Sequence, residues 1–240
     1  MAESPQTEPE EHQRILPATR INSSSNILII PHKNQASCPT LKSTVTSCIT
    51  LSGSAAIICE YLNFGVNSVL FQRGIYPPES FSTVQQYGLM IFILQDEKIT
   101  EILKNDLSQA QDWIAENKVE KISLVIKNSH TAEMLEFWDF KIDNENENIP
   151  TKDGQEVTSS KDLKRIQNKI RYVLRQLSAT VSFLPPLDCI CSFDILIYTH
   201  KYTKIPEQWE NTEGVQSFQL KSYSTGLHQL STVINYKMNL

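Results

Sequence analysis

Two neighbouring segments alternate apolar and polar side chains at most positions, and this limits the fold more than anything else in the chain. Over Val119 to Asn128, Ile122, Leu124 and Ile126 fall on one side, and Lys121, Ser123 and Lys127 on the other. Met134 to Asp143 repeats the pattern, with Trp138, Phe140 and Ile142 on the apolar side. Successive side chains of a strand point to opposite faces, so each segment predicts a strand with one dry and one wet face. That pattern indicates antiparallel pairing, and the short link Ser129 to Glu133 suits a hairpin. The dry face then needs a covering layer.

Three helical segments provide one. After the N-cap candidate Thr50, the residues Ala55, Ile57, Ile58, Tyr61, Leu62, Phe64, Val66, Val69 and Leu70 occupy more than one helical face. They predict a central helix buried nearly all round, ending before Pro77-Pro78. Gly65 inside it costs about 1 kcal/mol against Ala, which suggests a close contact there. Asp96 caps a second helix reaching about Asn117, with the stripe Ile99, Leu103, Leu107, Ala110 and Ile114. A third helix starts at Ser159 to Asp162, carries the stripe Leu163, Ile166, Ile170, Val173, Leu177 and Val181, and stops at Pro185-Pro186. Leu89 to Leu94 reads as a short strand or a buried helical turn, which period alone does not decide. Cys189 to His200 is a strong strand, and Phe218 to Leu220 and Leu230 to Met238 are further strand material. The fold class is α+β, with three helices packed on a largely antiparallel sheet.

Residues 1–48 differ from the rest. They hold 5 of the 11 prolines, 7 serines and 5 threonines but none of the 7 glycines, and no apolar period runs through them. They are expected to form a flexible N-terminal tail ahead of a domain over residues 49–240. The chain carries 22 Lys and Arg against 27 Asp and Glu, a net charge of -5, which argues against a dominant nucleic-acid binder. No run approaches the ~18 consecutive apolar residues of a membrane span. Met1 to Glu11 is acidic and polar where a secretory leader is basic and then apolar. The five cysteines form no framework, so a reducing compartment is expected.

The chemistry-bearing motifs are missing. There is no G-x-G-x-x-G, no P-loop and no G-x-S-x-G elbow, so no cofactor and no enzymatic activity are expected. Cys189-x-Cys191 would point both thiols to one face of a strand and reads as a buried structural pair. His228 reads as a satisfied packing residue. The third helix carries Lys161, Lys164, Arg165, Lys169, Arg171 and Arg175. A solvated basic face explains these best. The next reading is a docking face for an acidic partner, and nucleic acid ranks third because no aromatics interleave.

From Ile49 on, the sequence resembles the HORMA-domain family, and within it the proteins of the spindle assembly checkpoint. The resemblance is carried by Ile49-Thr50-Leu51-Ser52-Gly53-Ser54-Ala55, by the run Phe64 to Phe81, by Val173 to Pro185, and by Cys191 to Thr199. It implies a fixed core over residues 49–200 and a mobile C-terminal belt over 201–240 that adopts two packings. In the closed packing the belt crosses the sheet and clasps an extended peptide. That peptide adds as a strand beside Ser192, Asp194, Leu196, Ile197, Tyr198 and Thr199, with main-chain hydrogen bonds giving much of the attraction. The belt's Gly214 and Gly226 read as joints.

The resemblance also implies residue roles. Arg175 and Gln176 match a pair through which an open copy pairs with a closed one, and Arg73, Glu136 and Lys221 match other residues of that face. Leu51, Trp113 and Leu230 match positions that set the balance of states, and Trp209 and His228 belong to the belt. The implied protein is a non-enzymatic adaptor of the nucleus and cytoplasm, at kinetochores in mitosis. A coiled-coil kinetochore receptor (mitotic arrest deficient one) would capture it. It would hold an activator of the anaphase-promoting complex of the cell division cycle twenty type. An AAA+ remodelling ATPase with its adaptor would reopen it. The alternative is a HORMA adaptor of translesion DNA repair or of the meiotic chromosome axis. The chain departs from the family in its tail, in a shorter stretch between Trp209 and Tyr223, and in stopping at Leu240. The belt is therefore expected to wrap differently.

Overall fold

The computed structural model describes residues 48–145, 158–200 and 215–237. The tail, Trp209 and Gly214 lie outside them. A short strand β1 (Ile49–Thr50) leads into α1 (Leu51–Gln72), capped by Thr50, whose hydroxyl accepts from the Gly53 N–H. Strands β2 (Phe81–Gln86) and β3 (Leu89–Leu94) form a hairpin. Helix α2 (Glu97–Ala115) follows, capped by Asp96 as expected. Next come β4 (Val119–Asn128), β5 (Met134–Asn144), the two-residue β6 (Thr158–Ser159), α3 (Leu163–Thr180) and β7 (Cys191–Thr199). The C-terminal part contributes β8 (Val215–Gln219), β9 (Tyr223–Ser224) and β10 (His228–Lys237).

The main sheet runs in the order β7-β4-β5-β10-β8, with β9 also paired to β10, and every pairing is antiparallel. The α+β architecture therefore stands, with the expected β4–β5 hairpin at its centre. The ambiguous Leu89 to Leu94 is a strand. Its partner Phe81–Gln86 has no clear apolar alternation and was not expected. The hairpin closes through Tyr87 (φ 52°) and Gly88 (φ 68°), consecutive left-handed residues of the kind a two-residue turn between twisted strands requires.

Helix α1 lies at the centre of the core. Ala55, Ile58, Tyr61, Leu62, Val66, Val69 and Leu70 are essentially inaccessible. By length and composition α1 could cross a bilayer, but most of it is enclosed by the other elements. Tyr61 meets Phe140 and Tyr223 edge-on, with ring centroids 6.0 and 5.2 Å away, and its hydroxyl lies 3.1 Å from Thr232 Oγ1. Phe71 stacks on Phe92 at 3.7 Å, which fixes the β2–β3 hairpin against the helix. The buried Asn67 uses Oδ1 to accept the Leu94 N–H at 2.9 Å, so the end of β3 is satisfied inside the core.

Three expectations need correction. Leu163 does not join the α3 stripe: it sits at the first helical position, 42% exposed, before the buried face begins at Ile166. Val181 lies past the helix, in a single 3-10 turn, Val181–Phe183. The polar face of β4 and β5 is not simply wet. Ser123 and Asp139 are buried, Ser123 donates to Asp139, and Lys121 lies 3.3 Å from the same carboxylate. Cross-strand pairing, rather than water, satisfies these groups.

The two glycines behave differently. A Cβ on Gly65 would stand 3.6 Å from Phe140 and 3.8 Å from Leu177, which is ordinary contact. The expected close approach is therefore snug without forbidding a methyl. Gly226 has φ +94°, and a Cβ there would stand 2.1 Å from Ser159 Oγ. Gly65→Ala should accordingly keep or raise stability, by up to about 1 kcal/mol from helix propensity. Gly226→Ala should lose roughly 2–4 kcal/mol from strain and overlap. Urea denaturation midpoints of the two variants check the contrast.

Candidate functional site

Strand β7 is an edge. It pairs with β4 from Val119↔Thr199 to Asn128↔Cys191, and its other side has no partner strand among the described residues. A shallow apolar depression lies alongside, lined by Ile99, Ile102, Leu103 and Asp106 of α2 and by Phe193 and Ile195 of β7. On the opposite face of β7, Lys127 pairs with Asp194, and the Lys121 ammonium sits 4.5 Å from the Tyr198 ring centroid. Asp194 Oδ1 is buried and finds no donor among the described residues. Of the expected strand residues, Ser192, Asp194, Leu196, Ile197 and Thr199 are half-buried, while Tyr198 is buried. An open strand edge beside an apolar depression is the arrangement that takes an added extended chain.

The C-terminal strand lies on the far side of the sheet. β10 pairs with β5 from His228↔Asn144 to Tyr236↔Glu136, with β4 and β5 between it and β7. Leu230 and Ile234 enter the core, and Leu51 and Trp113 pack half-buried against it. At the start of β10, His228 is 1% exposed and fully engaged. Its Nδ1 is 2.7 Å from Ser54 Oγ, and its Nε2 is 3.0 Å from Asn117 Oδ1. Burial holds its pKa below the ordinary 6.5, while the Ile114 carbonyl and Glu145 pull the other way. His228 is thus a packing residue, as expected, and joins α1, α2 and β10. Gly226, expected as a joint of the belt, is packed tightly here: Ser159 donates to the Thr225 carbonyl at 2.9 Å directly against it.

The five residues expected on a self-pairing face separate into two groups. Arg175, Gln176 and Lys221 lie together at the surface. Gln176 Oε1 accepts the Lys221 N–H at 2.9 Å, and the Lys221 ammonium lies 5.1 Å from the exposed Tyr172 ring. Arg73 and Glu136 instead form a buried ion pair, with side chains 5% and 3% exposed. Arg73 binds the carboxylate through both Nε and Nη2, and the Trp138 indole donates to Glu136 Oε2 at 3.1 Å. Burial pushes the Glu136 carboxyl above its ordinary value, opposed by the guanidinium and the indole. Arg73 Nη2 also donates to the Pro185 carbonyl at 2.7 Å. That bond pins the link between α3 and β7, on which Phe183 stands 79% exposed. Sequence reasoning missed Phe183, because a large apolar residue in an apolar run ordinarily reads as core.

Cys189 and Cys191 are half-buried rather than buried, since Cys189 precedes β7 and only Cys191 lies in it. Their sulfurs are 3.7 Å apart with no bond between them. Burial pushes the Cys191 thiol up to about 12. Among the described residues no group of three or more His, Cys, Asp or Glu could hold a metal ion.

Arg73→Met would strand the Glu136 carboxylate and should cost about 3–5 kcal/mol, and adding Glu136→Leu should recover much of that loss. Urea denaturation of the single and double variants measures both. For His228 the folded pKa is depressed, so below about pH 6.5 the unfolded chain takes up the proton first. Stability should be independent of this ring above that pH and fall as pH drops below it. His228→Gln should remove that part of the decline, read as the difference between the two pH profiles.

A family model described as the HORMA domain matches residues 54–230. The mitotic spindle assembly checkpoint protein MAD2A of Homo sapiens is 40% identical over 195 residues, covering 79% of this chain and 93% of that protein. The mitotic spindle checkpoint component mad2 of Schizosaccharomyces pombe is 35% identical over 196 residues, covering 79% and 95%. A chain in the crystal structure of the mitotic checkpoint complex superposes with a TM-score of 0.65 at 32% identity, covering 78% of this chain and 99% of that one. With a domain match over most of its length and relatives at this level of identity, the chain belongs to the HORMA-domain family, among its mitotic spindle checkpoint proteins.

Proposed function

We propose that this protein is a spindle assembly checkpoint adaptor that clasps an extended partner peptide along β7. The observation that carries the reading is the strand order. β10 lies against β5, and the outer edge of β7 is open among the described residues. This is the order a closed HORMA domain needs, with the C-terminal segment across the sheet from the peptide edge. The peptide's backbone would extend the sheet, its apolar side chains would enter the depression between α2 and β7, and a basic side chain would meet Asp194 Oδ1. The open state would place the C-terminal segment over the β7 edge instead, and two such packings need differ by only a few kcal/mol.

The proposed partners are those that the family resemblance implies, and a relative's presence in the mitotic checkpoint complex supports the first of them. They are an activator of the anaphase-promoting complex, a coiled-coil kinetochore receptor, and an AAA+ remodeller that reopens the closed state. The site of action is the kinetochore during mitosis. Self-pairing of open and closed copies would use Arg175, Gln176 and Lys221 together with the exposed Phe183. Arg73 and Glu136 would act beneath that face, by holding the Pro185 carbonyl and hence the Phe183 link in place. Nothing in this assignment calls for catalysis by the chain itself.

Arg175→Glu should abolish self-pairing in size-exclusion or light-scattering measurements and leave peptide affinity unchanged. Unaltered self-pairing in that variant would remove the α3 face from the mechanism. Adding a peptide with a basic residue followed by two apolar ones should protect alternate β7 amides from hydrogen exchange. Unchanged exchange along β7 with a bound peptide would overturn the edge assignment.

A further inference from the structure

Helix α3 carries five basic residues and no acidic one, in a chain whose net charge is -5. Arg165, Asn168, Lys169 and Tyr172 of α3, with Lys221, line a cleft of about 470 Å³. Among the described residues none of Arg165, Lys169 and Lys221 joins an ion pair, and Tyr172 is 51% exposed between them. Three cations around an exposed ring attract an acidic segment.

We infer that the cleft is the docking site for the acidic start of this chain's own N-terminal tail. The tail's charges are segregated. Glu3, Glu8, Glu10 and Glu11 precede any basic residue, and Arg14, Arg20, Lys33 and Lys42 follow. Within Glu8-Pro9-Glu10-Glu11, three carboxylates flank one proline, so the cations have a matching cluster and the Tyr172 ring has an apolar ring to lie against.

The place where the tail joins the fold strengthens the match. Ile49 pairs with Ser159 and Thr50 with Thr158, and Asp162, three residues past Ser159, caps α3. The tail therefore leaves the domain beside the foot of α3, and the cleft begins at Arg165, about one turn along. The connection from Glu11 to Cys48 spans on the order of 30 Å by chain statistics. An 18-residue helix is roughly 27 Å long. Tethering makes this contact intramolecular, with an effective concentration in the millimolar range, which compensates for the low affinity of an exposed charge cluster. Lys221 lines the cleft and Gln176 accepts its N–H, so a docked tail would compete with a second copy for part of the same face. That last consequence rests on the self-pairing role proposed above.

Zero-length carbodiimide coupling joins carboxylates to lysine amines only where they touch. The full chain, mixed as equal parts light and isotope-labelled protein, should yield Glu8, Glu10 or Glu11 joined to Lys169 or Lys221 within one copy. High salt should abolish those products. Arg165→Glu with Lys169→Glu, both at exposed positions, should abolish coupling to the retained Lys221. No coupling of the tail glutamates to these lysines would overturn the proposal. So would products that join light and labelled copies in the proportion random pairing gives, which would make a second copy the occupant, or coupling to Lys221 that survives the double reversal. Arg175→Glu separates the two readings, since it removes self-pairing yet leaves tail coupling intact. Persistent self-pairing in that variant would remove the α3 face from the self-pairing proposed above and spare the tail contact.

Discussion

The enclosure of α1 over most of its circumference is the constraint on which the rest of the structure depends. A 22-residue helix with apolar side chains around most of its circumference has no favourable place at a surface, so the remaining elements must surround it. The sheet covers one side through Phe140 and Thr232, α3 approaches at Gly65 through Leu177, and the β2–β3 hairpin closes over the far end through Phe92. Hydrogen bonds also run from its buried face, where Ser54 meets His228 and Thr225. Tyr61 reaches Thr232 in β10, and Asn67 holds the end of β3. The helix thereby sets where the sheet, the hairpin and the C-terminal strand can lie.

The C-terminal strand is held by a mixture of contacts. Leu230 and Ile234 are buried, but its first residues are fixed by directional polar bonds: His228 with Ser54 and Asn117, Thr225 with Ser54, and Ser159 with the Thr225 carbonyl. Neutral hydrogen bonds of this kind are each worth about 1 kcal/mol net, because water competes for the same groups. Such an anchor is specific in register and modest in strength. A segment proposed to have two resting places needs an anchor of that sort. The buried Arg73–Glu136 pair is different in kind. Its charges are costly to separate, and through the Pro185 carbonyl it makes the link carrying Phe183 part of the rigid core.

Much of this fold is legible in the sequence, because one-dimensional periods map onto faces. The stripe Ile99, Leu103, Leu107, Ala110 and Ile114 is buried in full, the caps Thr50, Asp96 and Asp162 are where their side-chain chemistry puts them, and β4 and β5 pair as their alternation requires. Strand β2 was not legible, since Gln85, Gln86 and Ser82 interrupt any alternation and only its partner β3 makes it a strand. The family motifs pointed to β7, which is an edge among the described residues, and to the surface of α3. They did not separate Arg175, at the surface, from Arg73, in the interior, because the two arginines carry the same chemistry and differ only in what folds over them.

By itself the sequence determined the helices, the central hairpin, the α+β class and the kinship that motifs carry, all of which follow from local spacing and residue type. Only the tertiary structure decided which strand is left as an edge, which charges are buried in pairs, and which cations on α3 stand free of ion pairs among the described residues. Those properties belong to contacts between segments far apart in the chain. No period along a single segment encodes what will come to lie against it.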